Sequence, residues 1–186
     1  MIRAALQRKW HKGIAALRRF RDREDGTATV EFAIVIPSFF FILMNTVELG
    51  LITIQQSMLE RALDQTVREL RLSTGAAKQH NEIRDEVCQR SGFIDDCATS
   101  LRLEMVQVDP YAWTPVNPEP DCINRVEDVQ PVRNFINGDS NELMFIRACM
   151  AFNPVFPFWG LASHMDTDAD GRLRIYATSA FVQEPR

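Results

Sequence analysis

At 186 residues the chain is long enough to bury one real core. Its 46% hydrophobic and 25% charged content is ordinary for a globular protein, so bulk composition separates few functional classes. Charge distribution is more selective: residues 1–25 hold eight of the 21 Lys and Arg but three of the 25 Asp and Glu, a tail of +5 ahead of a body of −9. A basic head, a long apolar segment and an acidic body fit a protein lying across a membrane with its basic end in the cytoplasm. A nucleic-acid partner is disfavoured, because nothing beside the tail suggests base stacking or a binding fold.

The apolar segment runs from about Thr27 to Ile54, enough for a bilayer crossing, which needs roughly 20 helical residues. A cleaved secretory signal built on FAIVIPSFFFILM is a poor reading. NTVELG lacks a small-x-small cleavage site, and the apolar run resumes in LGLITI. With Arg3, Arg8, Lys9, Lys12, Arg18, Arg19, Arg21 and Arg23 held inside, residues past Ile54 are expected outside the cytoplasm.

Beyond this segment, QQSMLERALDQTVRELRLSTG places Leu59, Leu63, Val67 and Leu70 on one face, pairs Asp64 with Arg68 at i,i+4, and reaches a plausible stop at Gly75. No breaker lies between Gln55 and Leu72. One helix is therefore predicted from about Thr27 to Leu72, roughly 70 Å long, apolar all round in its first half and amphipathic in its second. Pro37 is expected to kink or locally open it. A shorter helix follows around NEIRDEVCQR.

The period then changes. SLRLEMVQV alternates, with Leu101, Leu103 and Met105 on one face of a half-buried strand. PYAWTPVNPEPDCINRVEDVQP holds five prolines and reads as a long irregular loop. ELMFIRACMAF is nearly continuous apolar and suits a strand buried on both faces. RLRIYATSAFV alternates again, with Leu173, Ile175, Ala177, Ser179 and Phe181 on one side. Three such strands are most simply an antiparallel sheet on which the amphipathic half of the long helix packs.

The four cysteines, Cys88, Cys97, Cys122 and Cys149, all fall after Ile54. An even set in an oxidising compartment reads as disulfides rather than metal ligands. Three connectivities are open, and the sequence does not choose among them; Cys88 with Cys97 and Cys122 with Cys149 is preferred.

Glu31 is the anomaly. A carboxylate inside an apolar span costs at least about 2.5 kcal/mol when unpaired, so it is a functional-site hypothesis by default. It lies five residues past Gly26, in EDGTATVEFAIVIPSFFFILMNTVELG: acidic-Gly, V-E-F-A, I-P, then E-x-G. This stretch resembles the processing region of type IV prepilins and pseudopilins, and within them the TadE-like minor pseudopilins of the tight-adherence (Flp, type IVc) pilus system. The likeness extends more loosely to VCQRSGFIDDC and LRIYATSAFVQEPR. It implies cleavage between Gly26 and Thr27 by an inner-membrane prepilin peptidase, making Glu31 the fifth residue of the mature chain. The new α-ammonium of one subunit could then neutralise Glu31 of its neighbour and set the register of assembly. Two departures are a leader of 26 residues, longer than a minimal one, and Thr27 where many type IV pilins carry a methylated Phe. The plainer reading leaves Glu31 at the cytoplasmic interface near Glu24 and Asp25, hydrated by snorkelling. Glu48 is expected at the opposite interface, or with Asn45 against a partner helix.

DTDADGRL carries Asp166, Asp168 and Asp170 at the spacing of half an EF-hand loop, yet the position of the bidentate Glu is Ala177, and Asp-Gly before an alternating run is an ordinary turn. The turn is preferred, calcium the alternative; no other cofactor is expected. His11, His80 and His164 are scattered, and no catalytic motif appears, so no enzyme is expected. FNPVFPFWGLA concentrates Phe152, Phe156, Phe158, Trp159 and Leu161, which are expected to fill the core, an exposed docking patch being the alternative.

The expected fold is therefore α+β and pilin-like: a leader over 1–26, a transmembrane helix over 27–54, an amphipathic extension over 55–75, and an α+β domain over 76–186. By the resemblance the protein sits in a bacterial inner membrane as a single pass, with its N-terminus cytoplasmic and its last domain periplasmic. Its partners would be the prepilin peptidase, other pilins and minor pseudopilins, the assembly platform and lipid, with no nucleic acid. The rival is an uncleaved, membrane-anchored binding domain.

Overall fold

The computed structural model describes residues 27–73, 78–92, 96–112, 115–123, 135–157 and 160–185. The leader with Gly26, the proposed stop Gly75, and Phe158 and Trp159 lie outside these residues. The chain divides into two units, Met1–Met44 and Asn45–Arg186.

One helix, α1, spans Thr27–Leu72, 46 residues, the bounds expected from the apolar run and the breaker-free Gln55–Leu72 that follows it. The helix continues through Pro37, where a kink or local opening was expected. Proline removes one N–H from the ladder. The carbonyl this leaves without its helical donor is that of Ala33, while the neighbouring Ser38 hydroxyl donates to the Ile34 carbonyl at 3.3 Å. At the other end the Ser73 N–H donates to the Glu69 carbonyl at 3.0 Å and its hydroxyl to that of Leu70 at 3.1 Å, closing the last turn.

From Asn45 onward α1 is amphipathic in fact. Leu59, Ala62, Leu63, Val67 and Leu70 are buried, and the Asp64–Arg68 pair lies exposed at 3.2 Å. Burying each large aliphatic side chain contributes about 1.5–3 kcal/mol, whereas an exposed i,i+4 pair adds only about 0.3–0.5 kcal/mol, so the stripe rather than the charges fixes how this helix packs.

Helix α2, His80–Ser91, starts where the Gln79 N–H is capped by the Glu82 carboxylate at 2.8 Å; it buries Ile83 and Val87. A single turn, α3 (Cys97–Ser100), leads into strand β1, Leu101–Gln107. Strands β2, Leu143–Phe152, and β3, Leu173–Val182, complete an antiparallel sheet in the order β1-β2-β3. Its register pairs Leu103 with Ala148 and Ala148 with Ala177. One face carries Leu101, Leu103, Met105, Met144, Ile146, Ala148, Met150, Ile175, Ala177 and Phe181, joined in one core with the α1 stripe, Ile83 and Val87. The architecture is α+β.

The reading of β1 as half-buried needs correction, because Leu101 through Met105 are all buried, Arg102 and Glu104 included. Its second face is covered by part of the proline-rich loop. Arg102 Nε donates to Asp121 at 2.8 Å, and Arg147 of β2 donates from Nε and Nη2 to Glu104 Oε2 at 3.0 and 2.5 Å and from Nη2 to the Glu119 carbonyl at 3.2 Å. Period-2 alternation marks which residues share a face; it cannot reveal that a loop returns over the polar one.

Candidate functional site

Within the first unit the helix is bare. Val30, Phe32, Ile34, Val35 and Phe39 through Leu43 are each 41–66% exposed, and the segment is long and apolar enough to cross a membrane. Residues apolar on every side, with no protein over them, have lipid or another apolar helix as their stable surroundings. Glu31 stands exposed in this surface, and no described residue pairs with it. Gly26 and Thr27, where the resemblance expects processing, lie close to Glu31 in sequence, Gly26 outside the described residues and Thr27 as the first residue of α1.

Past Met44 the helix acquires partners. Glu48, expected at the outer interface or against a partner helix, is buried within its own domain. It is 1% exposed, and its Oε1 accepts the Phe156 N–H at 3.0 Å. One turn earlier, Asn45 Oδ1 accepts the Leu161 N–H at 2.8 Å. Together the two side chains hold both ends of the loop Val155–Leu161 against α1. Gly160 passes between them at φ +88°, and a Cβ there would lie 2.9 Å from Asn45 Oδ1, so only glycine fits without displacement. A signal for this role was present in the sequence: Glu48 and Ile52 extend the phase of Leu59, Leu63, Thr66 and Leu70 by about three turns, with Ile52 meeting Ala162 and Leu173. The buried stripe therefore begins inside the segment assigned to the bilayer. Of the aromatic cluster, Phe152 is partly buried against the core and Phe156 is half-buried.

The structure pairs Cys88 with Cys97 and Cys122 with Cys149. The first ties the C-terminal turn of α2 to α3. The second pins the proline-rich loop onto β2 and so holds the cover over Glu104 and Arg147.

Two of the three carboxylates of the acidic loop, Asp166 and Asp168, pair with arginines. Asp168 Oδ2 accepts Arg172 Nε at 2.8 Å, while Oδ1 takes the N–H groups of Asp170 and Arg172 at 3.0 and 2.9 Å. Asp166 accepts from Arg174 and from the Tyr176 hydroxyl. Burial works to raise the Asp166 pKa, but these donors hold it below the usual carboxylate value; burial and the same hydrogen bond push Tyr176 up to about 12. Gly171, at φ +76°, closes a tight turn in which its N–H donates to the Asp168 carbonyl at 3.0 Å. No group of three or more metal-capable side chains occurs among the described residues. The geometry is that of a turn stapled by arginines.

Taken together, the described residues form an α+β fold with one candidate membrane helix among them, a carboxylate near its start that no described residue pairs with, and a disulfide-stapled domain packed on its second half. Residues 26–68 match the model of a family described as TadE-like protein, and the match begins at Gly26. No curated protein and no solved structure matches the chain.

Proposed function

We propose that this protein is a minor pseudopilin. A prepilin peptidase cuts after Gly26 on the cytoplasmic side of the inner membrane, the helix from Thr27 anchors the chain as a single pass, and the domain after Asn45 faces the periplasm. Its work is assembly rather than catalysis: the helix enters a tight-adherence pilus base or tip complex, where Glu31 receives the α-ammonium of a neighbouring subunit. The observation that carries this reading is a family match starting at Gly26 on a helix whose apolar surface is uncovered and whose single early carboxylate has no partner among the described residues. Burying Glu31 alone in lipid would be costly, and an intersubunit charge pair removes that cost.

The test is the N-terminal sequence and intact mass of the membrane-extracted protein, expressed with and without a prepilin peptidase. A start at Thr27 only when the peptidase is present supports the proposal, and replacing Gly26 by a bulky residue should abolish it. A Met1 start in both samples overturns it and favours an uncleaved, anchored binding domain.

A further inference from the structure

The sheet has one end beside the start of the buried stripe on α1. There Leu173, the first residue of β3, packs with Ile52; at the opposite end Gln183 Nε2, just past β3, donates to the Leu70 carbonyl at 2.9 Å. Strand β3 therefore runs alongside α1 in the same direction, and antiparallel β2 ends beside it, with Phe152 the register partner of Leu173. The connection from β2 to β3 thus leaves and returns at the end of the domain where Asn45 and Glu48 hold it.

That connection carries no formal charge. Residues 153–165 read NPVFPFWGLASHM, without Asp, Glu, Lys or Arg, and charge returns only at Asp166. Val155, Leu161 and Met165 are 56, 37 and 36% exposed. Main-chain donors beneath these apolar side chains are already engaged. Pro154 and Pro157 have no N–H, the N–H groups of Phe156 and Leu161 are taken by Glu48 and Asn45, and those of His164 and Met165 bond to the Leu161 and Ala162 carbonyls at 3.1 and 3.2 Å. Apolar side chains outward over paired donors suit poorly hydrated surroundings, where an unpaired N–H is costly.

The position along α1 says what those surroundings are. A bilayer crossing takes roughly 20 helical residues. Counted from Thr27 it ends between Asn45 and Glu48, and counted from Glu31 it ends near Leu51. Either count puts the two side chains that hold the loop where hydrocarbon gives way to headgroups. Helical side chains also lean toward the N-terminus, so Asn45 and Glu48 hold the loop over the turn before their own Cα atoms.

We infer that the loop of residues 153–165 is a second membrane contact, lying in the lipid interface beside α1. Lipid is the occupant of its apolar surface, because the helix that fixes the loop leaves the bilayer at the same level and aromatic side chains such as those of this loop are enriched there. A contact off the helix axis sets the tilt and height of the domain over the bilayer, which a single spanning helix leaves free. The inference rests on the proposed membrane anchor.

The test places one nitrobenzoxadiazole fluorophore on a cysteine introduced into the full chain, at Val155→Cys, Leu161→Cys, Phe40→Cys or Tyr111→Cys, in phosphatidylcholine vesicles carrying nitroxide lipids. Tyr111 follows β1, whose Gln107 pairs with Met144 at the far end of the sheet. Nitroxide near the headgroup should quench the labels at Val155 and Leu161 by about twofold or more, nitroxide near the bilayer centre should quench that at Phe40, and neither should quench that at Tyr111. Quenching at Phe40 with none at Val155 and Leu161, both open to aqueous iodide, overturns the inference and leaves the anchor standing. No quenching at Phe40 removes the anchor and the inference with it. Shielding of Val155 and Leu161 from iodide without lipid quenching, growing with the protein-to-lipid ratio, overturns it in favour of a second copy over the loop. The unsubstituted chain in lipid nanodiscs guards against a misfolded variant: nitroxide lipid should broaden the amide resonances of Val155 and Leu161 and spare those of Tyr111 and Leu143, and equal broadening at all four overturns the inference.

Discussion

Glu104 and Arg147 offer the sharpest check on how the domain is held together. Their side chains are 3% and 10% exposed, and two guanidinium N–H groups converge on Glu104 Oε2. In Glu104→Ala the guanidinium keeps the Glu119 carbonyl but loses its counter-charge in a site sealed by the Cys122–Cys149 loop. Removing one partner of a buried pair costs about 3–5 kcal/mol, a large part of the roughly 5–15 kcal/mol that stabilises a domain. For roughly 140 residues the unfolding entropy is about 0.3 kcal/mol/K, so the midpoint should fall by about 10–16 °C. The double variant Glu104→Leu, Arg147→Met fills the same space without charge and should sit within about 1 kcal/mol of the original, because the desolvation of both ions is removed along with their attraction. Thermal unfolding of the full chain in detergent, followed by near-ultraviolet circular dichroism, measures all three. If the single variant loses less than about 1 kcal/mol, or the double variant loses as much as the single one, the pair is not the buried, mutually dependent unit described.

Cys122→Ala with Cys149→Ala should lower stability by about 3–4 kcal/mol from loop-closure entropy over the separation of 27 residues, and should speed amide exchange in β1 as the cover loosens, both readable in one exchange experiment. His80 is held below its ordinary pKa of 6.5 mainly by burial, and its Nε2 must be unprotonated to accept the Leu103 N–H. The unfolded chain therefore binds the proton more readily, stability is full above pH 6.5 and declines as pH falls from there toward the folded value, and His80→Gln should remove that decline in urea titrations across the range. Glu31→Ala should leave membrane insertion intact while reducing pilus assembly, scored by membrane fractionation and by surface pilin; normal piliation would remove the case for an intersubunit pair.

Much of this protein is local, and the sequence by itself determined that part. A long apolar run from Thr27 that continues into a breaker-free Gln55–Leu72, a stripe at Leu59, Leu63, Val67 and Leu70, and two alternating segments around one apolar segment point to a long helix and three strands, because periods of 3.6 and 2 are properties of the backbone. The carboxylate at Glu31 and its distance from Gly26 are likewise matters of position along the chain. What only tertiary structure decided depends on segments distant in sequence. Arg102 and Glu104 look like a solvated face until the loop carrying Glu119, Asp121 and Cys122 returns over them. Glu48 looks interfacial until the N–H of Phe156, 108 residues later, claims one of its oxygens. The Asp166–Asp170 loop resembles half a metal site until Arg172 and Arg174 supply the positive charge. In each case the free energy of a polar group is set by who desolvates and who neutralises it, and a linear pattern does not name that partner.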